Sequence, residues 1–156
     1  MAIEVARRIG APLDLVMVRK IGVPGHGELA AGVIFYCERP EIVVNDEIAR
    51  HARLSHEDIK RLSLPELETI AKRRRLYLKD RASVALAGRT AIVVDDGIAT
   101  GATMRAALKA VARQKPARIV LAVPVAAADS LASLRSEVDE VICPLVPAFF
   151  GAVGAF

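Results

Sequence analysis

The chain has 156 residues, 53% of them apolar, and a formal net charge of +4. That length can enclose one hydrophobic core, and the composition excludes a disordered chain. No apolar run approaches the ~20 residues of a membrane-spanning helix, the opening MAIEVARRIG lacks the pattern of a secretory signal, and so modest a charge does not by itself call for nucleic acid.

In chain order, AIEVARRIG places Ile3, Ala6 and Ile9 on one face with Arg7 and Arg8 opposite, and Gly10 and Pro12 follow as stop signals. This predicts a short amphipathic helix. LDLVMV, 13–18, reads as a mostly buried strand, and RKIGVPGHGEL, 19–29, with three glycines and a proline, as a mobile loop. AGVIFYC and EIVV are strand-like, separated by the turn ERP. From Asn45 to Lys79 the pattern is helical, with Ser55/Asp58 and Ser63/Glu66 as candidate caps and Pro65 near a first turn. Cys37 and Cys143 have neither zinc-ligand spacing nor a disulfide-scaffold context, so two ordinary buried thiols in a reducing cytoplasm are expected.

After Gly88 the period alternates. TAIVV is a strand, GATMRAALKAVARQ a helix, ARIVLAVPV a strand, ADSLASLRSEV a helix and DEVICPL a strand. Apolar strands alternating with helices predict an α/β fold, a mostly parallel β-sheet flanked by helices. No repeat or linker divides the chain, so a single domain over 1–156 is expected.

The chemistry concentrates in AIVVDDGIATGAT, Ala91 to Thr103. Four apolar residues run into Asp95 and Asp96, adjacent like charges that a strand end does not place side by side without a reason. Ligands of an open parallel sheet gather beyond the carboxyl ends of its strands. The turn Gly97-Ile98-Ala99-Thr100-Gly101-Ala102-Thr103 opens the next helix, whose N-terminal amides and partial positive charge suit a phosphate. Gly97 and Gly101 allow close backbone approach, and Thr100 and Thr103 add hydroxyl donors. Carboxylates cannot hold that phosphate, so Asp95 and Asp96 face hydroxyl groups or a bound Mg²⁺. A sugar phosphate meets both demands. No G-x-G-x-x-G and no G-K-[ST] is present for a dinucleotide or a nucleoside triphosphate.

This stretch resembles the phosphoribosyl-pyrophosphate (PRPP) motif of the type I phosphoribosyltransferases: a strand, two acids, a small-residue turn and T-G-x-T. Gly97 departs from the family, which usually has an aliphatic residue or serine there. The resemblance implies transfer of ribose 5-phosphate from PRPP to a nitrogen acceptor, with Mg²⁺ and release of pyrophosphate. It implies Asp95 and Asp96 on the ribose hydroxyls, or on the metal directly or through water, and the amides from Ala99 to Thr103 on the 5′-phosphate. Arg19 and Lys20, read as ending a strand before the glycine-rich segment, are similar to the family's basic residues before the loop that closes over pyrophosphate. PAFFGAVGAF is similar to the hood segment of the purine-salvage members, which makes Phe149 or Phe150 a candidate to stack on a planar acceptor.

Two features differ from the family. Its members begin with a strand and a pyrophosphate-gripping loop, whereas Met1 starts at what reads as the following helix. The domain is therefore expected to be N-terminally truncated, with a strand missing from its sheet, and together with the apolar composition this favours a homo-oligomer. Ala99 stands where purine-salvage enzymes carry an aspartate that acts as base, so no general base is assigned. The run AKRRRLYLKDR reads as a solvated helix face, with only Tyr77 near for stacking, so nucleic acid is not the expected partner. It sustains one alternative, a PRPP-sensing regulatory or catalytically inactive PRPP-binding domain.

Overall fold

The computed structural model describes residues 1–36, 40–79, 81 and 83–156. They form two compact units, residues 14–83 and residues 1–13 with 84–156, each with its own apolar core.

The first unit is an antiparallel sheet covered by helices. Strands β1 (Met17–Val23), β2 (His26–Tyr36) and β3 (Pro40–Val44) lie in the order β1-β2-β3. The predicted mobile loop at 19–29 is instead the two arms of a hairpin. Pro24 and Gly25 make its two-residue turn, with Val23 paired to His26 and Gly25 at φ 78. A turn of this kind takes proline first and a left-handed glycine second. The strand read at 13–18 accordingly lies further along, so Arg19 and Lys20 sit inside β1 rather than at its end. An edge strand of an antiparallel sheet with one open face accepts charged residues and glycine that a buried parallel strand would refuse. The register slips on both sides of Gly22, which needs no side-chain room there.

Helix α2 (Asp46–His51) starts at Asn45, whose side chain accepts from the Ile48 amide. Helix α3 (His56–Leu78) starts with a complete capping box. The Ser55 hydroxyl accepts from the Asp58 amide, and the Asp58 carboxylate accepts from the Ser55 amide. The Ser55 hydroxyl also donates to the Asp58 carboxylate, and this hydrogen bond, with the one from the Ser55 amide, holds the Asp58 carboxyl below its ordinary pKa. Ser63 caps nothing: it is fully buried inside α3 and its hydroxyl donates to the Lys60 carbonyl. The helix thus runs unbroken through Pro65, which lies well inside it. A serine that turns its hydroxyl back onto its own helix can sit mid-helix, and its sequence signature is that of a cap. Ile21, Ile34, Ala49, Ile59 and Ile70 form this unit's core. In the basic run, Lys72, Arg73 and Arg75 are exposed, while Arg74 lies 4.7 Å over the Tyr36 ring and donates to Ser83. The turn expected at Glu38 and Arg39 and the thiol expected at Cys37 lie outside the described residues; Pro40 opens β3.

In the second unit the predicted alternation is present as a three-stranded parallel sheet flanked by helices. Its strands are β4 (Thr90–Val94), β5 (Arg118–Ala122) and β6 (Glu140–Ile142), in the order β4-β5-β6. Helix α4 (Ala102–Arg113) connects β4 to β5, and α5 (Ala128–Leu134), extended by one tighter turn at Arg135–Glu137, connects β5 to β6. Met104, Ala107, Leu108 and Val111 recur at helical spacing on the buried face of α4. They meet Ala91, Ile119 and Leu121 from the strands and Leu131 and Leu134 from α5. The N-terminal helix α1 (Ala2–Ile9) belongs to this unit and ends, as its stop signals require, at a left-handed Gly10 whose amide donates to Ala6. Cys143 is only partly buried; its thiol donates to the Leu145 carbonyl.

Candidate functional site

β4 delivers its chain to the carboxyl edge of the parallel sheet at Val94, and Asp95 and Asp96 are the next two residues. Both are exposed. Asp95 bends back so that one carboxylate oxygen accepts the Asp96 amide at 3.0 Å. Although solvent reaches it, enough protein surrounds the Asp95 carboxyl that desolvation pushes its pKa above the ordinary 3.8; the adjacent Asp96 charge pushes the same way and the Asp96 amide opposes.

Ile98 then rejoins the sheet. Buried at 2% exposure, it makes an isolated parallel bridge to Ala126, its amide donating to Val125 and its carbonyl accepting from Ala127. Val125 in turn bridges to Leu145. The loops that follow β4, β5 and β6 are therefore tied to one another above the strand ends. Gly101 supplies the helix entry at φ 74, ψ −4, a left-handed conformation that costs glycine least. A β-carbon there would stand in ordinary contact with Leu134, Ile98 and Ser130, so it is the backbone angle rather than space that selects glycine.

Between these fixed points, Ala99, Thr100, Ala102 and Thr103 are exposed. Among the described residues, no group accepts a hydrogen bond from the amides of Ala99 to Thr103, and neither threonine hydroxyl has a partner. A run of unpaired amides at the start of a twelve-residue helix attracts anions. The Ala99 carbonyl accepts from the Ser130 hydroxyl. Arg105, in the first turn of α4, is directed elsewhere, to Glu137 and Ser133. Sequence reasoning did not find Ser130, which lies 31 positions from its partner and carries no motif.

Gly97 is explained by packing. A β-carbon on it would come within 2.7 Å of Val153 Cγ1 and 3.0 Å of Val125 Cγ1. The aliphatic side chain that the family motif leads one to expect at this position is supplied from across the loops by Val153. Phe149 is 92% exposed, while Phe150 stacks on Phe156 with ring centroids 5.7 Å apart.

Arg19 and Lys20 belong to the other unit. As neighbours on a strand they point to opposite faces. Arg19 Nε lies 2.8 Å from Glu66 Oε2, out of line for a hydrogen bond, so its charge is already matched; Lys20 is exposed.

The two carboxylates suit a hard cation. Among the described residues no three His, Cys, Asp or Glu side chains converge into a closed metal cage. A Mg²⁺ ion held by Asp95 and Asp96 would keep most of its coordination positions for other oxygens and water, as that ion prefers. Among the described residues no helix is long and apolar enough to cross a membrane.

The phosphoribosyl transferase domain model matches residues 1–155, across both units. Two Mycobacterium tuberculosis proteins, one from strain H37Rv and one from CDC 1551, are each named "Putative phosphoribosyl transferase" and are 40% identical over 153 residues. The match takes in 98% of this chain and 34% of each relative, so the chain spans about a third of the length of the curated relatives it matches. The crystal structure of TT1426 from Thermus thermophilus superposes with a TM-score of 0.81 at 39% identity, over 97% of this chain and 71% of that one.

Proposed function

Because this chain belongs to the phosphoribosyl transferase domain family, we propose that its carboxylate turn binds PRPP and that the protein transfers the ribose 5-phosphate to a nitrogen acceptor, a nucleobase or related amine. One observation carries the reading. Beyond a single parallel strand, two carboxylates stand beside a run of main-chain amides that lack acceptors among the described residues.

In this reading the amides of Ala99 to Thr103 and the hydroxyls of Thr100 and Thr103 hold the 5′-phosphate, while Asp95 and Asp96 accept hydrogen bonds from the ribose hydroxyls. Fixing both ends of the sugar aims its C1 at the acceptor. As the bond from C1 to pyrophosphate oxygen lengthens, its electron pair leaves with pyrophosphate, and the acceptor nitrogen forms the new bond to C1. Positive charge develops on the ribose in between, and the two carboxylates beneath it stabilise that charge. Asp95 and Asp96 would hold a Mg²⁺ ion, which when bound would supply positive charge to offset that of the leaving pyrophosphate. Ala99 brings no base to the turn, so the acceptor proton goes to water or to the departing pyrophosphate. Of the two basic residues in β1, Lys20 is exposed, whereas Arg19 is paired with Glu66. Phe149 presents the free aromatic face for a planar acceptor, since Phe150 is occupied by Phe156.

The test is a pyrophosphate-release screen with PRPP, Mg²⁺ and a panel of nucleobases and related amines. Release with one acceptor class, lost by about a hundredfold or more in Asp95→Asn and Asp96→Asn, is the expected result, since one charge-stabilising contact is worth ~3 kcal/mol. PRPP binding without release across the whole panel overturns the transferase and leaves a sensing domain. Absence of PRPP binding overturns both.

A further inference from the structure

Residues 143–156 contain no strand, and most of their side chains are exposed, yet they are fastened to the edge of the parallel sheet at two points. The first is Leu145, which bridges to Val125, donates its amide to Pro124 and accepts from Ala126. The second is Val153, which is half-buried while its neighbours Ala152 and Gly154 are exposed. Its two methyl groups lie 2.7 and 3.0 Å from where a β-carbon on Gly97 would be, too close for one to be added without a shift. Between these fastenings lie Phe149, exposed, and Phe150, stacked on Phe156 just past the second one.

From this fit we infer that Gly97 and Val153 form a size-matched positioning pair that seats residues 146–156 beside Asp95 and Asp96 and thereby governs recognition of the acceptor. The inference rests on the transferase reading for its kinetic consequence, but the seating itself does not. Valine is stiff at its single side-chain torsion, so Val153 cannot swing clear of a larger residue at 97. A side chain on Gly97 displaces the segment instead, and Phe149 moves with it. Val153→Ala has the milder effect: it removes the methyl groups that fill the notch, and the segment is then held at Leu145 alone. Neither residue touches the reacting atoms, so both act through the position of the segment they join.

The pair makes a reciprocal prediction. Gly97→Ala brings a methyl group to within 2.7 Å of one on Val153, and Val153→Ala removes the methyl groups it meets. The double variant therefore restores the fit, apart from the remaining 3.0 Å approach to Val125. In steady-state kinetics Val153→Ala should raise the acceptor KM about tenfold with little change in the PRPP KM, displacements of ~1 Å being able to cost up to about a hundredfold. Gly97→Ala should be worse than either the wild type or the double variant, and adding Val153→Ala to it should recover most of the loss. A second measurement needs no turnover: limited proteolysis of the full chain should cut within 146–156 fastest in Gly97→Ala and near the wild-type rate in the double variant.

Equal effects on both KM values, or strictly additive losses in the double variant, overturn the role in acceptor recognition. Unchanged proteolysis across the three variants overturns the seating. If the wild type releases no pyrophosphate while the proteolysis pattern appears as expected, the transferase reading fails and the seating stands.

Discussion

Asp95 is held in an environment that resists its charge. Desolvation raises its pKa above 3.8, so folding favours the protonated form. A raised acid stabilises the fold below its unfolded pKa, and that contribution is lost as pH rises through the folded value. At neutral pH the ionised carboxylate is thus a local burden. Asp95→Asn should melt at a higher temperature than the wild type at pH 7, and the difference should shrink toward zero as pH falls to about 4, while PRPP-dependent pyrophosphate release is lost. Melting curves across that range check the sign. A carboxyl at a strand end whose charge the fold disfavours is a candidate for work on a ligand. Gly101 is constrained differently. Its φ of 74 is hostile to other residues, so Gly101→Ala should cost ~1–2 kcal/mol in denaturant unfolding despite the room around it. The acids and the glycine were readable from sequence because they are consecutive and carry their own chemistry. The reason for Gly97 was not, since its partner Val153 is distant in the chain and ordinary in type.

At the scale of elements, the parallel unit followed its pattern closely because each strand and helix there writes one clear period. α4 shows it best, with Met104, Leu108 and Val111 along its buried side. Leu108→Ala should cost about 2–5 kcal/mol, measured by equilibrium unfolding, as expected for a leucine at 1% exposure. The antiparallel unit was harder to read. Glycine and proline in 19–29 have the composition of a loop, and only the pairing of Val23 with His26 distinguishes a tight hairpin from one. Ser55 and Ser63 illustrate the same limit. Both precede an acid by three residues, but Ser55 faces the first turn of α3 and Ser63 is locked inside it. Ser55→Ala should therefore lower stability by ~1 kcal/mol through the lost cap. Asp58 adds a pH signature: its carboxyl is held low by Ser55, so the stability it lends is present at neutral pH and disappears as pH falls through that lowered value. The wild type should lose more stability on acidification than Ser55→Ala does.

For the whole molecule, family membership extends over residues 1–155, while the named relatives are about three times as long. The chemistry proposed for the carboxylate turn can be examined in this chain directly. PRPP at ~100 times its Kd should stabilise the protein by about 2.7 kcal/mol, read as a rise in melting temperature. Asp95→Asn with Asp96→Asn should remove that rise. The formal charge of +4 favours a polyanionic ligand, and raising salt from 0.1 to 1 M shortens the screening length from ~10 to ~3 Å. The PRPP concentration needed for half the thermal shift should increase accordingly.

The bridge from Ile98 to Ala126 has one more consequence. Because the turn is laced into the sheet on one side and into α4 on the other, its outward-facing amides are set when the protein folds. An incoming phosphate meets a receptor already in shape. Calorimetry should then record association with little entropic penalty from chain ordering, and stopped-flow traces should be monophasic at that end of the ligand.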